Sequence, residues 1–241
     1  MRIVVPSRKR VQSCAHAIRL FHTPTVCVAE SEMADYAVLE GCELLSHPDD
    51  VKGIGPLRRW ILDNVADEMV VMADDDISSV KSLVGAGICY THPDDVTQII
   101  ANAAEIARAA GAPVFGFGQV WSPIMFRPQD PFSFCGWVGC VIGFVGRAAR
   151  SDTSFVMRHD VDLCMAVLLR QRIVFIDKRF SFVQKRFTNV GGNAHCRNSE
   201  QETRELARLK EKWGPWITFH ESKQNTNPSV RVQRRQSLTL S

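Results

Sequence analysis

The sequence lacks any apolar stretch close to the ~20 residues that a membrane-spanning helix needs. Its first ten residues hold only the short apolar run Ile3-Val4-Val5 before a basic patch, which does not match the pattern of a secretory signal peptide. We therefore expect neither a membrane span nor a signal peptide, and we expect a cytoplasmic protein.

Cysteine pairs with the CxxC spacing of common zinc sites are also absent, although the chain has 8 cysteines. Most of them lie inside apolar runs, so we interpret them as small buried hydrophobic residues of a reducing compartment. The chain also lacks the GxGxxG of dinucleotide-binding folds and the GxxxxGK(S/T) of phosphate loops. Those two nucleotide-binding classes are therefore poor matches.

Charge is spread unevenly along the 241 residues, whose formal net charge is +3. From Lys178 to the last residue there are 13 Lys and Arg against 5 Asp and Glu, whereas the preceding part is acidic. A basic last quarter on an otherwise acidic chain favours a polyanionic partner. The plainer alternative is a solvated basic tail without a partner.

Short apolar runs alternate with helical patterns, which is typical of an α/β domain large enough for one sizeable core. The runs predict strands at 2–6, 25–29, 43–46, 68–73, 114–120, 138–145 and 173–176. Helices are predicted at about 56–65, 92–111, 160–170 and 199–213. The polar, basic segment 222–241 has almost no apolar pattern and is predicted to be disordered.

Three consecutive aspartates, Asp74-Asp75-Asp76, follow the central apolar run. At the carboxyl edge of an α/β sheet, a divalent cation that bridges to phosphate groups would offset this negative charge. The first and third carboxylates lie on the same side of an extended chain, so Asp74 and Asp76 can both approach one ion. A solvated acidic loop is the alternative.

Polar and flexible residues follow the neighbouring strands. The first strand runs into Pro6-Ser7-Arg8-Lys9-Arg10, whose hydroxyl, N–H and guanidinium groups could hold a base or a diphosphate. Glu30 follows the second strand and could accept hydrogen bonds from a base or ribose. Gly53 and Gly55 precede a helix that carries Arg58, which together could form an anion site. Ordinary loop and surface roles remain the alternatives.

The order of these motifs, with PSRKR, KGIGPLRRW and VVMADDDIS in succession, resembles the nucleotide-sugar half of GT-A glycosyltransferases. The arrangement to about His195 is similar to the TET-associated glycosyltransferases of bacteriophages. These accompany enzymes that hydroxylate methylated bases, and they are thought to glycosylate the resulting hydroxymethyl-pyrimidines, such as hydroxymethylcytosine, in DNA. The resemblance implies a single GT-A-like (Rossmann-like) α/β domain over 1–221, with a mostly parallel sheet flanked by helices. Residues 1–80 would be its nucleotide-sugar half and 112–221 its acceptor half.

The resemblance also implies a ligand set. Asp74 and Asp76 would hold a divalent metal, Mn²⁺ or Mg²⁺, and the diphosphate of a donor that is expected to be a UDP-sugar, with Asp75 near the ribose or sugar. Members of this fold commonly add a metal-binding histidine late in the chain. His195, which follows two glycines, is the candidate, although a lone histidine is more often structural.

A transferase that inverts the anomeric centre needs a base for the acceptor hydroxyl, and the family usually places an acid at the start of a helix there. His159, Asp160 and Asp162 occupy such a position, and Asp160 is preferred. If Asp160 is only the helix N-cap, then Asp162 or His159 is the better base. A retaining mechanism would need no such base.

Aromatic and basic residues of the acceptor half are candidates for contact with DNA. The aromatic stretch from Trp121 to Trp137 could stack on a sugar or an extruded base, although a role in the core is the alternative for most of it. Lys185 and Arg186, like Lys178 and Arg179, would suit DNA phosphates or a solvated face.

We expect a metal-dependent glycosyltransferase that transfers a sugar from a UDP-sugar to a hydroxymethyl-pyrimidine in DNA. A protein or small-molecule hydroxyl is the alternative acceptor. A non-catalytic nucleotide- or nucleic-acid-binding module is the alternative from another class.

Overall fold

The computed structural model describes residues 1–85, 87–119, 122–150, 152–156, 158–184, 199–219 and 228–232. Within these residues the helices and strands are, in chain order, β1 (Arg2–Pro6), α1 (Val11–Ala17), β2 (Thr25–Ala29), α2 (Met33–Tyr36), β3 (Glu43–His47), α3 (Ile54–Asn64), β4 (Met69–Ala73), β5 (Ile77–Ser82), β6 (Cys89–Tyr90), α4 (Pro93–Ala109), β7 (Val114–Phe117), β8 (Phe132–Ser133), β9 (Val141–Val145), α5 (His159–Gln171), β10 (Phe175–Asp177), β11 (Phe180–Gln184), α6 (Ser199–Trp213), β12 (Ile217–Phe219) and β13 (Pro228–Val230).

An eight-stranded sheet in the order β3-β2-β1-β4-β9-β7-β10-β8 forms the centre of the molecule. Strands β1 to β4 are parallel, and so are β7 and β10. Strand β9 is antiparallel to both β4 and β7, and β8 is antiparallel to β10. The prediction of a mostly parallel α/β sheet is confirmed, and β9 is an antiparallel exception that its apolar sequence did not reveal.

The central strands are apolar throughout because helices cover both faces of the sheet. All five residues of β2 and of β4 are buried. Alternate residues of β1 separate the two cores: Val5 packs on the side of α1 and α4, whereas Val4 packs on the side of α3 and α5. With both faces covered, the exposed carboxyl edge of the parallel strands is where ligands bind in open α/β sheets.

A second, antiparallel sheet, with the order β11-β5-β6, lies next to this edge. Its strand β5 begins directly after the aspartate triplet. Strand β11 pairs along β5 so that Gln184 is opposite Ile77. The pairing therefore brings a residue more than 100 positions away back to the triplet.

One part of the chain differs from the sequence prediction of a disordered segment 222–241. Within the described residues 228–232, β13 pairs with β12 antiparallel. Pro228 is buried, and its carbonyl oxygen accepts a hydrogen bond from the indole nitrogen of Trp137 at 3.0 Å. A residue far away in the chain, Trp137, thus contacts a segment whose own apolar content is low.

No helix in the described part of the chain is long and apolar enough to cross a membrane. The seven cysteines within the described ranges are all free thiols. Cys14, Cys27 and Cys164 are buried, as their apolar sequence surroundings predicted, whereas Cys89 is exposed.

Candidate functional site

The aspartate triplet lies at the carboxyl edge of β4, between β1 on one side and β9 on the other. The backbone N–H of Asp74 donates to the carbonyl oxygen of Cys140, just before β9, at 2.9 Å. This bond extends the β4–β9 ladder by one residue. It fixes the start of the triplet on the rigid sheet rather than in a free loop.

The carboxylates of Asp74 and Asp76 converge on one point. The side-chain amide nitrogen of Gln184 donates to Asp74 Oδ2 at 2.9 Å and to Asp76 Oδ1 at 3.0 Å. A group with partial positive charge therefore lies between the first and the third aspartate. No sequence motif marks Gln184, since its position depends on the pairing of β11 with β5.

Arg58 holds the other oxygen of Asp74. Its side chain is only 3% exposed, and its Nη2 donates to Asp74 Oδ1 at 2.9 Å. Burial raises the pKa of Asp74 to about 7, and the Arg58 guanidinium opposes this rise. The sequence placed Arg58 in the nucleotide-sugar site, and the structure brings it to the triplet by way of α3.

His159 lies on the far side of the same guanidinium. Arg58 Nη1 is 2.5 Å from His159 Nε2, and the imidazole is 4% exposed. Burial and the neighbouring cation hold the pKa of His159 well below its usual range. The ring is therefore neutral, with Nε2 accepting from Arg58 and the proton on Nδ1. This contact engages the nitrogen that a base would use.

Asp75 turns away from its two neighbours toward the end of β1. Its carboxylate accepts from Ser7 Oγ at 2.6 Å and from Arg10 Nη1 at 3.2 Å. Tyr36 OH lies 2.8 Å from Ser7 Oγ and accepts from the backbone N–H of Arg10 at 3.0 Å. A buried polar network thus fixes the loop after Pro6 against the triplet. Tyr36 was missed because α2, only four residues long, has no clear sequence signature.

A second acid, Glu32, lies just after β2 and also holds the loop after β1. The predicted contact of Glu30 with a base or ribose stays a prediction. Glu32 is 7% exposed and accepts from the backbone N–H of Lys9 at 2.8 Å, and its other oxygen lies 3.8 Å from Arg8 Nε. Glu30 is exposed, at the start of a short 3₁₀ turn. That turn brings Glu32 back toward β1. Its geometry could not be predicted from the order of the residues alone.

The two glycines before α3 differ in their surroundings. Gly53 has φ +91°, a left-handed conformation that favours glycine. Gly55 has no room for a side chain, because an added Cβ would lie 2.4 Å from the carbonyl oxygen of Phe155. In the structure Gly55 therefore allows close approach between α3 and the segment before α5. Its predicted contact with a ligand stays a prediction.

Of the three base candidates, Asp160 is the one whose carboxylate forms no hydrogen bond with another helix or strand among the residues that the structure describes. Its Oδ1 accepts from the adjacent backbone N–H of Val161 at 2.8 Å. Burial raises the pKa of Asp160, and its charge in turn raises the pKa of Asp74. Asp162 is 1% exposed and accepts from Trp213 Nε1 at 2.8 Å.

The predicted acceptor residues are only partly described. Trp121, Lys185 and Arg186, and the predicted metal ligand His195, lie outside the described residues. Trp137 is half-buried, and its indole N–H is engaged by Pro228. Lys178 and Arg179, which the sequence analysis also named as candidates for contact with DNA phosphates, form ion pairs with Asp130 and Asp177 respectively. Phe132 and Phe134 pack on Phe175.

The carboxylate oxygens of the triplet suit a hard divalent cation whose other coordination positions are filled by a phosphorylated substrate and water. Within the described ranges no three His, Cys, Asp or Glu side chains form a complete metal cage. Two carboxylates do converge, however, on a donor that carries partial positive charge. Mg²⁺ and similar ions in phosphate-ester enzymes typically take one or two carboxylates and complete their shell with substrate phosphates and water. Asp74 and Asp76 match that pattern.

Solved structures with the same architecture define the class of the fold. Glucosyl-3-phosphoglycerate synthase from Mycobacterium tuberculosis, crystallised with Mn²⁺, UDP-glucose and phosphoglyceric acid, has a TM-score of 0.54 at 12% identity, covering 96% of this chain and 86% of that one. A mycobacterial protein gives 0.54 at 10% identity, covering 95% and 83%. The likeness to S. aureus TarS 1–349 is weaker, with a TM-score of 0.48 at 11% identity, and it does not bear on the fold class. It covers 76% of this chain, which spans only 59% of that one. The fold is that of GT-A glycosyltransferases.

The sequence model of the family described as TET-Associated Glycosyltransferase matches residues 1–193. The protein therefore belongs to the TET-associated glycosyltransferase family. No curated protein matches the chain by sequence. The predictions of the family and of the fold are confirmed.

Proposed function

We propose that the protein transfers a sugar from a UDP-sugar, in the presence of a divalent metal, to the hydroxyl of a hydroxymethyl-pyrimidine in DNA. The proposed UDP-sugar site rests on the convergence of Asp74 and Asp76 on the side-chain amide of Gln184 at the carboxyl edge of the sheet. The family described as TET-associated supports the acceptor part.

The donor would lie across the ends of β1 and β4. From the loop after Pro6, the guanidinium of Arg8 would contact the uridine or its phosphates. Asp74 and Asp76 would hold Mn²⁺ or Mg²⁺ after Gln184 has moved aside, and Arg58 would keep Asp74 oriented. When bound, the ion would neutralise the charge that develops on the diphosphate leaving group. The Mycobacterium tuberculosis neighbour was crystallised with Mn²⁺ and UDP-glucose, which agrees with this arrangement.

Asp160 is the base in this proposal because Asp162 and His159 are engaged by Trp213 and Arg58. The acceptor hydroxyl gives its proton to the Asp160 carboxylate while its oxygen bonds to the anomeric carbon. The bond from that carbon to the diphosphate oxygen breaks, and UDP leaves with the electron pair. Attack opposite the leaving group inverts the anomeric centre.

A thermal-shift titration tests the donor site without any acceptor. UDP and a panel of UDP-sugars are added with and without Mn²⁺ to the wild type and to Asp74→Asn/Asp76→Asn. A ligand at 100 times its Kd should stabilise the native state by about 2.7 kcal/mol. We expect metal-dependent stabilisation of the wild type only. Asp94→Asn/Asp95→Asn, two aspartates on the exposed first turn of α4, is the matched control and should respond as the wild type does.

If folded wild-type protein shows no shift with any UDP-sugar and Mn²⁺, the proposed donor is wrong. If the double variant responds as the wild type does, then a donor site exists but Asp74 and Asp76 do not hold the metal.

A further inference from the structure

Helix α6 lies beyond residue 193, where the family match ends, yet it is built into the described fold. Leu209 of α6 is 0% exposed and packs in the core that also contains α3 and α5. Its other inward side chains contact the residues that lead into α5. We call residues 152–156 and 158 the pre-α5 segment.

Glu205 is the centre of this contact and is 0% exposed. Its two carboxylate oxygens accept from the backbone N–H groups of Val156 at 2.9 Å and of Arg158 at 2.8 Å. Burying a carboxylate is costly unless such bonds satisfy it. An apolar residue at this position could not accept from either N–H group, so what the carboxylate adds is the fixed position of these two groups.

Further contacts from α6 hold both sides of the start of α5. On the near side, Arg158 Nη2 donates to Glu202 Oε1 at 2.5 Å. On the far side, Trp213 Nε1 and Lys212 Nζ each lie 2.8 Å from Asp162 Oδ1. Asp160 lies between these two anchored positions. The first turn of α5 is therefore held from both ends by one helix.

The opposite face of the pre-α5 segment rests on α3. The Gly55 backbone approaches the carbonyl oxygen of Phe155 so closely that an added Cβ would overlap it. Arg58, one turn along α3, contacts both His159 and Asp74. The segment thus lies between α3, which reaches the donor aspartates, and α6. Its position determines the distance between Asp160 and the donor site.

We infer that Glu205 is a positioning residue, which acts through the pre-α5 segment to place the Asp160 carboxylate against the acceptor hydroxyl. The inference rests on the proposed function, in which Asp160 is the base. It extends the catalytic apparatus to a helix outside the matched family region. Because a misplacement of about 1 Å can lower turnover roughly 100-fold, one lost bond at this point should affect the rate of transfer.

The test compares Glu205→Gln with Glu211→Gln, which changes an exposed acid on the same helix. Glutamine keeps one oxygen, but its amide group faces one of the two backbone N–H donors, so that one bond is lost. We expect kcat of Glu205→Gln to fall at least about 10-fold while KM for the UDP-sugar stays within about twofold. Hydrogen exchange should accelerate at residues 152–162 and remain unchanged in the central strands. Glu211→Gln should match the wild type in every measurement.

The inference is overturned if kcat of Glu205→Gln equals that of Glu211→Gln, or if donor affinity and exchange protection are lost throughout the molecule. If Glu205→Gln does not fold, Trp213→Phe takes its place, since it removes the bond to Asp162 while keeping an aromatic ring, and it should lower kcat in the same selective way. A wild type that binds UDP and Mn²⁺ but transfers sugar to no acceptor refutes the proposed function instead. The two failures are therefore distinguishable.

Discussion

Gly55 offers the sharpest test of how α3 and the pre-α5 segment are fitted together. In Gly55→Ala the new Cβ would lie 2.4 Å from the carbonyl oxygen of Phe155, whereas ordinary contact begins at 3.4 Å. The clash is with backbone, so it cannot be relieved by rotating a side chain. One of the two segments must therefore move by about 1 Å.

This displacement should affect stability and turnover separately. Overpacking of a well-fitted interior costs about 1–3 kcal/mol, and we expect the free energy of unfolding to fall by that amount. Arg58 lies on α3 and His159 directly follows the pre-α5 segment, so the donor aspartates and Asp160 should also lose their alignment. A misplacement of about 1 Å corresponds to a loss of turnover of roughly 100-fold.

Gly214→Ala is the matched control. Gly214 has no heavy atom within 4 Å of an added Cβ, and its φ is not positive. The free energy of unfolding of Gly214→Ala should equal that of the wild type or exceed it by up to about 1 kcal/mol, and turnover should be unchanged. Urea unfolding and initial rates of sugar transfer measure the two effects. A Gly55→Ala variant within about 0.5 kcal/mol of Gly214→Ala, with equal turnover, would refute the close approach and the alignment drawn from it.

The remaining predictions concern a buried hydroxyl and a surface acid. Ser7→Ala removes the hydroxyl between Asp75 and Tyr36, so unfolding in urea should show a loss of about 1–3 kcal/mol; an unchanged midpoint would contradict the network. Hydrogen bonds from Lys212 and Ser154 hold the pKa of Asp152 below 3.8, so its stabilisation is present above about pH 4 and lost as the pH falls further. Because Asp152 is part-exposed, Asp152→Asn should cost only about 0.5–1 kcal/mol at pH 7. This difference should shrink toward zero below pH 4, and a difference independent of pH would exclude the ion pair as its cause.

The sequence was sufficient for the features that depend on local pattern. The buried strands β1, β2 and β4 are continuous apolar runs, and the aspartates that follow β4 must lie at the edge of a parallel sheet. The helix starts at Pro93 and near Asp160 follow from proline and acidic residues. The position of the candidate donor site was therefore predictable before its geometry was known.

Features that depend on pairing between distant segments were not predictable. Gln184 reaches Asp74 and Asp76 only because β11 pairs with β5, and no local motif marks that register. Similarly, Asp162 and Asp160 looked alike in the sequence. Their difference arises from Trp213, which comes from a helix about 50 residues further along the chain.

Glu32 illustrates a third limit, that of an irregular turn. The sequence singled out Glu30 as a ligand for a base or ribose because it directly follows β2, whereas the 3₁₀ turn brings Glu32 to the backbone of Lys9. Such turns have weak sequence signatures, so the contact between Glu32 and Lys9 was not predictable, and the ligand role of Glu30 stays a prediction.

The central claim is transfer of a sugar to a hydroxymethyl-pyrimidine in DNA, and mass spectrometry of the product tests it most directly. DNA containing 5-hydroxymethylcytosine is incubated with the wild type, Mn²⁺ and a panel of UDP-sugars, then digested to nucleosides. We predict a hydroxymethylcytosine nucleoside heavier by one sugar residue, formed by the wild type but not by Asp74→Asn/Asp76→Asn. Unmodified DNA from every donor, with a protein that binds UDP and Mn²⁺ and glycosylates a protein or small-molecule hydroxyl instead, would contradict the DNA acceptor.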